Sequence, residues 1–334
     1  PTPGKEAYLD ALVAIRYHAY GFEITDQTTK QAKGNEGAFV NILDDNTTRL
    51  AKNMRKNINR QVYGDGTGLL ASLTAASAGT ATVTVDTTQY LQVGDPVDIL
   101  NRTSGAVVSV GRTIVSINRT TKVVTLDAAV TAANTDGLYL SGSRSIEMDG
   151  LRNIISSGRT LHGINSASAG NEFWDGKRID AGAVVAGESL YERLADDVGA
   201  GGQGEVEAFL TTRGMRRRLA DTYQSQKRFN DAKATEVHGG YTAIYVNEIP
   251  VMSDDDAPKG YAFGINKDAF KWFEVERPDW LQDPKTGTVF QLAAGSVAGS
   301  SRAAWQAWFV WYAALGCLAP NRNGAIFNAT DDAS

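Results

Sequence analysis

Between Ala38 and Ala71 the chain reads AFVNILDDNTTRLAKNMRKNINRQVYGDGTGLLA, and no other stretch restricts the fold as much. Leu50, Met54, Ile58 and Val62 recur at i, i+4 spacing, so an α-helix gathers them into one apolar stripe. Asp44 and Asp45 stand where the positive end of the helix dipole favours carboxylates, which places the helix from about Asp44 to Tyr63. Gly64 follows as a candidate C′ residue. Arg49, Lys52, Arg55, Lys56 and Arg60 load the rest of the helix with positive charge.

The glycine-rich stop, Gly64-Asp65-Gly66-Thr67-Gly68, superficially resembles a phosphate loop. A dinucleotide loop follows a strand and opens a helix; this one follows a helix and lacks the Gly-Lys-Ser/Thr ending. No ligand is expected there.

The chain has 334 residues, of which 42% are hydrophobic, enough for two domains or one elaborate one and for a sizeable core. The formal net charge is −5, so no global basic excess argues for tight, sequence-independent nucleic-acid binding. Cys317 is the single cysteine, which excludes an intrachain disulfide and a cysteine-based zinc site; it reads as a small buried hydrophobe. The opening PTPGKEAYLD shows no basic region followed by an apolar core, so no signal peptide is expected. Ala303 to Leu318 is the most apolar stretch, too short for a bilayer span, and reads as a buried strand or helix.

Residues 1–12 read as an arm, because Pro1, Pro3 and Gly4 oppose early regular structure. Residues 13–41 read as a long hairpin, with strands VAIRYHAYGFEIT and AFVNIL around a polar tip, DQTTKQAKGNEG. From residue 76 to 142 Ala, Thr, Val and Gly dominate. TATVTVD, VDIL, AVVSVGRTIVSIN and KVVTLDAAV alternate at period two between turn signals, predicting a small antiparallel barrel inserted into the main path. SLYERLADDV and RGMRRRLADTYQSQ read as helices; YTAIYVNEIPVMSD, GYAFGIN and FKWFEV read as strands.

In order along the chain, these segments resemble one family. The helix and its turn are similar to the spine helix of tailed-bacteriophage major capsid proteins. EMDGLRNIISSG resembles the segment after the inserted barrel in actinophage-type members, and EFWDGKRIDAG resembles the linker before a peripheral-domain helix, here GESLYERLADDV. RGMRRRLADTYQSQKRFN with YTAIYVNEIPVMSDDDAPKGYAFGINKDAFKWF is similar to the axial-domain pattern. The resemblance implies an α+β, Hong Kong 97-like capsid fold. It assigns an N-arm to 1–12, an E-loop to 13–41, peripheral domain with spine helix to 42–75, and the inserted β-barrel to 76–142. Peripheral domain resumes over 143–204, the axial domain takes 205–310, and 311–334 return to the peripheral domain and end in a polar tail.

The same resemblance implies a structural, non-catalytic subunit that assembles with itself as pentamers and hexamers into an icosahedral shell around double-stranded DNA. Localisation would be the virion capsid, assembled in the bacterial host cytoplasm, with no cofactor and no membrane partner. Further partners would be a portal, a decoration protein, and a scaffold that is either a separate protein or a segment already removed. Arg16, Tyr17, Tyr20, Phe22, Lys30 and Lys33 on the E-loop are candidate inter-subunit contacts, with the aromatic residues as anchors. Arg213, Arg216 and Arg217 share a helix face and are candidates for inter-subunit ion pairs. Arg49, Lys52, Lys56 and Arg60 are candidates for an inner surface that faces DNA through phosphates, without sequence readout. Some family members crosslink an E-loop Lys to a neighbour's Asn; Lys30 and Lys33 are present, but no matching Asn and Glu are found.

Asp254-Asp255-Asp256-Ala257-Pro258 lacks calcium-loop spacing and reads as a solvated turn. His18, His162 and His238 are far apart, with no metal-binding spacing and no local Ser-His-Asp set. Two other readings compete with the capsid one: an encapsulin-like nanocompartment shell, and a β-rich carbohydrate-binding protein resting on Trp174, Trp272 and Trp280.

Overall fold

The computed structural model describes residues 9–31, 36–202, 204–226, 244–284, 286–294 and 301–332. The chain is a mixed α+β protein. It opens with strand β1 (Arg16–Thr25), helix α1 (Asp26–Gln31) and the long helix α2 (Glu36–Tyr63). Strands β2 (Leu69–Ser72), β3 (Ser77–Thr84), β4 (Pro96–Asn101), β5 (Val107–Asn118), β6 (Val123–Ala132) and β7 (Asp136–Leu140) follow. Next come α3 (Leu151–Ile154), the short pair β8 (Thr160–Leu161) and β9 (Ile164–Asn165), β10 (Lys177–Asp180) and α4 (Glu188–Gly202). Then come β11 (Ala208–Thr211), α5 (Arg213–Gln226), β12 (Ile244–Val246), β13 (Ile249–Ser253) and β14 (Ala262–Ile265). The chain ends with β15 (Phe270–Trp280), β16 (Gln291–Ala294), β17 (Ser301–Cys317) and β18 (Gly324–Phe327).

The chain divides into two compact units. One comprises residues 1–12, 60–271 and 317–334; the other comprises 13–59 and 272–316. The breaks fall within α2, β15 and β17 as well as after Leu12.

In the larger unit, β2 to β7 form a curled antiparallel sheet of order β2-β7-β4-β5-β6-β3. Its two edges meet at an isolated bridge, Leu73 to Val85. Period-two alternation sends Val83, Val97, Ile99, Ile114, Val124, Leu126 and Leu138 to one buried core, and most of the intervening residues outward. The bends that curl it are register shifts in the β4–β5, β5–β6 and β3–β6 pairs. The strands read from sequence over 76–142 coincide with β3, β4, β5 and β6.

The same unit holds a mixed sheet of order β10-β18-β14-β11-β13-β12, in which β10–β18 and β11–β13 are parallel. Helix α4 lies against it. Its Leu194 side chain comes so close to Gly324 that a Cβ there would meet Leu194 Cδ1 at 2.5 Å, so a larger residue at this point would force Leu194 to shift. Tyr191, Leu194, Val198, Phe209, Met215 and Leu219 fill the interior, with Tyr191 edge-on to Phe209 at 5.0 Å between centroids.

In the smaller unit β17 pairs antiparallel with β1 on one side, and β15 and β16 flank its other side. This corrects the hairpin expected over 13–41. AFVNIL is the start of α2, which therefore begins two turns earlier than read, and the partner of β1 is β17, Arg16 facing Ala313. A run of five apolar residues around Asn41 satisfies both periodicities, and here the helical one prevails, with Thr47 Oγ1 donating to the Leu43 carbonyl one turn back (2.9 Å). The apolar stretch from Ala303 is strand up to Cys317, where β17 ends.

Candidate functional site

The exposed face of α2 carries the charge. Leu50 and Met54 are buried, Ile58 and Val62 are half-buried, and Lys52, Arg55 and Lys56 are exposed. Arg49 is exposed and pairs with Asp45 one turn earlier at 2.8 Å, a contact of small energy between two solvated side chains. Arg60 departs from the DNA-facing reading. It is buried and ion-paired with the buried Glu147, and so cannot meet a phosphate at the surface. One turn of helix separates Lys56 from Arg60, and the segment Glu147–Gly150 decides the difference. It packs on the C-terminal turn of α2, where a Cβ at Gly150 would meet the Gln61 carbonyl at 2.2 Å and that of Val62 at 2.6 Å.

The helix stops without the left-handed C′ glycine that was expected. Gly64 donates to the Gln61 carbonyl (3.0 Å), and the positive φ values fall later, at Gly66 and Gly68, both +78°. Asp65 Oδ1 accepts from the Thr67 amide (3.1 Å) and from its hydroxyl, closing the turn on itself.

Beyond that turn lies a junction. Burial, together with Asp254 beside it and hydrogen-bonded to it, pushes the Tyr63 phenol far above its ordinary range. Gln89 Nε2 donates to the carbonyls of Asp255 (2.6 Å) and Ala257 (3.0 Å), and the Tyr90 hydroxyl donates to that of Asp256 (3.0 Å). Burial pushes the Tyr90 phenol up to about 12. The acidic turn is therefore only partly solvated: Asp255 is exposed, Asp256 is buried, and the turn fastens the 87–92 loop of the curled sheet to the end of α2. The sequence showed each of these groups, but not that they meet.

The arginine row of α5 is engaged within the chain. Arg213 reaches Asp255 through Nε (2.6 Å) and Nη2 (2.8 Å). Arg218 pairs with Asp332, and Arg217 donates to the Asp332 carbonyl (3.2 Å). Arg216 is half-buried beside them.

On the smaller unit's sheet, the aromatic candidates separate by face. Phe22 packs edge-on to Trp280 and Phe290, and the Tyr20 hydroxyl accepts from Asn57 of α2 (2.8 Å). On the opposite face Tyr17 sits 4.9 Å from Tyr312, its cross-strand partner, and Trp308 lies over Gly21, where a Cβ would meet the ring at 2.7 Å. Tyr17 is 52% exposed, Tyr312 39% and Trp308 37%, so this face shows a row of aromatic residues to solvent. Trp308 and Tyr312 were not singled out in the sequence, since the period of β17 becomes meaningful only once its pairing with β1 is known. Arg16 opens β1, half-buried; Lys30 is exposed and pairs with Asp26 at 2.6 Å; Lys33 lies outside the described residues.

Among the described residues no group of three His, Cys, Asp or Glu side chains is placed to hold a metal ion. Also among them, no helix is long and apolar enough to cross a membrane. The chemistry on these surfaces is that of contact: exposed aromatic rings, a basic helix face and ion pairs.

No family model matches the chain. No curated protein matches it either. Solved structures do. The chain is similar to one in the cyanophage A-1(L) capsid asymmetric unit, with a TM-score of 0.53, 12% identity, and coverage of 95% of this chain and 78% of that one. A chain of the satellite phage P4 procapsid including size determination (Sid) protein matches over 99% of this chain and 76% of its own length, with 8% identity and a TM-score of 0.40. A chain of the holo-SrpI encapsulin complex from Synechococcus elongatus PCC 7942 matches over 56% and 58%, with 13% identity and a TM-score of 0.32. Of these three, the first carries the argument, and what it carries is the fold: nearly the whole of this chain follows the path of a capsid chain.

Proposed function

We propose that this chain is a major capsid protein of the Hong Kong 97 type, assembling as pentamers and hexamers into an icosahedral shell that encloses double-stranded DNA. The observation that carries the reading is the likeness of fold, over 95% of the chain, to a chain of a phage capsid. Supporting it is the kind of surface the chain presents. A shell needs repeated heterologous contacts that close by symmetry, and an exposed aromatic row with extended segments around it suits that task.

In this reading α2 is the spine helix, the segment between Val13 and α2 supplies the E-loop, and residues 1–12 are the N-arm, whose Leu9 and Leu12 are exposed. Tyr17 is the anchor of choice among the E-loop aromatics, joined by Trp308 and Tyr312; Phe22 and Tyr20 already have partners within the chain. Arg213, Arg216 and Arg217 would serve an inter-subunit pair by exchange or extension of contacts they already make. Lys52, Lys56 and Arg49 form the DNA-facing set, acting on phosphates without reading bases. Partners are then other copies of the chain, a scaffold, a portal, a decoration protein and the packaged DNA.

The test is nuclease treatment of particles isolated from the native source. Double-stranded DNA protected inside closed particles supports the reading. Closed particles holding protein cargo and no DNA would select a nanocompartment, and a monomer that binds glycans would overturn the shell reading altogether.

A further inference from the structure

We propose that His162 is an acid-released latch on two chain segments, one ending at Leu12 and the other at Cys317. His162 and Gly163 form the turn between β8 and β9, with φ of +50° and +83°, and His162 is buried. Its carbonyl accepts from the Leu12 amide at 2.7 Å. Its ring Nε2 accepts from the Cys317 amide at 3.3 Å. One residue thus bonds the last residue of the 1–12 segment and the first of the 317–334 segment, all three lying in the larger unit.

An amide N–H donates only to an unprotonated ring nitrogen, so the latch requires neutral His162 with its proton on Nδ1. Protonation places an N–H on Nε2, facing the Cys317 N–H, and two donors repel. The hairpin tip must then turn, and the Leu12 bond follows, because its acceptor is the carbonyl of the same residue.

The groups around the ring fix the direction. Burial is the largest influence and holds His162 below its ordinary value of 6.5. Asp149 opposes burial by attracting the charged form, and Arg159 reinforces burial by repelling it. Arg159 is held in place by the Asn153 carbonyl (2.7 Å) and by Asp175 (3.2 Å), so its charge is fixed there. Burial pushes the Cys317 thiol up to about 12, so no thiolate competes for the proton. Trp174 steadies the hairpin by donating from Nε1 to the Leu161 carbonyl (3.1 Å).

Hydrogen exchange of the full chain tests this, with each rate divided by the intrinsic rate at that pH. Between about pH 7.5 and about pH 5, the Cys317 and Leu12 amides of the wild type should lose protection at least ~10-fold. In His162→Gln the amide oxygen accepts from Cys317 without titrating, so protection should not depend on pH. His162→Asn tolerates positive φ and does not titrate; it is too short to accept from Cys317, so protection there is lower but should again not depend on pH, which keeps the test open should the Gln variant fail to fold. His18→Gln should leave the acid loss in place. Equal wild-type protection at both pH values overturns the proposal; so does an acid loss retained in the position 162 variants, or one abolished in His18→Gln.

Discussion

Arg60 and Glu147 are both less than 10% exposed, so the pair between them is stabilising only while both members are present. Glu147→Ala would leave a buried guanidinium without its carboxylate and should cost about 3–5 kcal/mol in urea unfolding of the isolated subunit. The double variant Arg60→Met/Glu147→Leu should recover most of that loss. A single-variant cost under about 0.5 kcal/mol would place Arg60 in solvent and return it to the DNA-facing set. The buried histidines make a separate prediction. Burial lowers His18, outweighing its hydrogen bond to the Ala313 carbonyl, and burial likewise lowers His162. Their folded values lie below the unfolded value, so the unfolded chain binds more protons in acid. Stability from these residues is complete above about pH 6.5 and is lost as pH falls below it; urea midpoints at about pH 7.5 and about pH 5 should differ in that direction. A midpoint that rises on acidification would contradict the burial of both rings.

Within α2 the apolar and basic faces predict opposite sensitivities. Leu50→Ala or Met54→Ala should cost about 2–4 kcal/mol, because both side chains are buried. Lys52→Ala and Lys56→Ala should each change stability by less than about 0.5 kcal/mol, since both are exposed. Equal effects on the two faces in thermal unfolding would mean the helix is rotated from this orientation. The legible elements were those whose signal is local. The alternation of TATVTVD and KVVTLDAAV showed strands, because every second residue meets a core built by its own sheet. The spacing of Leu50 and Met54 showed the buried face of α2. AFVNIL reads as a strand from sequence because five apolar residues around Asn41 fit either period, and the information that decides it lies in β17, the distant partner of β1. The fate of Arg60 was illegible for the same reason: Glu147 is 87 residues away. Tyr17 was named from sequence as an anchor, but the aromatic row it shares with Tyr312 and Trp308 exists only once β1 and β17 are paired.

For the whole molecule the proposed function makes two demands: the basic face of α2 must bear on DNA content, and the chain must close into shells. Lys52→Glu/Lys56→Glu should still assemble but should yield particles with less nuclease-protected DNA per subunit, since phosphate contacts depend on charge and not on base sequence. Unchanged DNA content would remove this face from the inner surface. Assembly decides the matter at this scale, and electron microscopy of the purified chain reads it out. Closed icosahedral particles built of pentamers and hexamers are the expected result. A uniform population of monomers across the whole concentration range, in the presence and absence of scaffold, would contradict it.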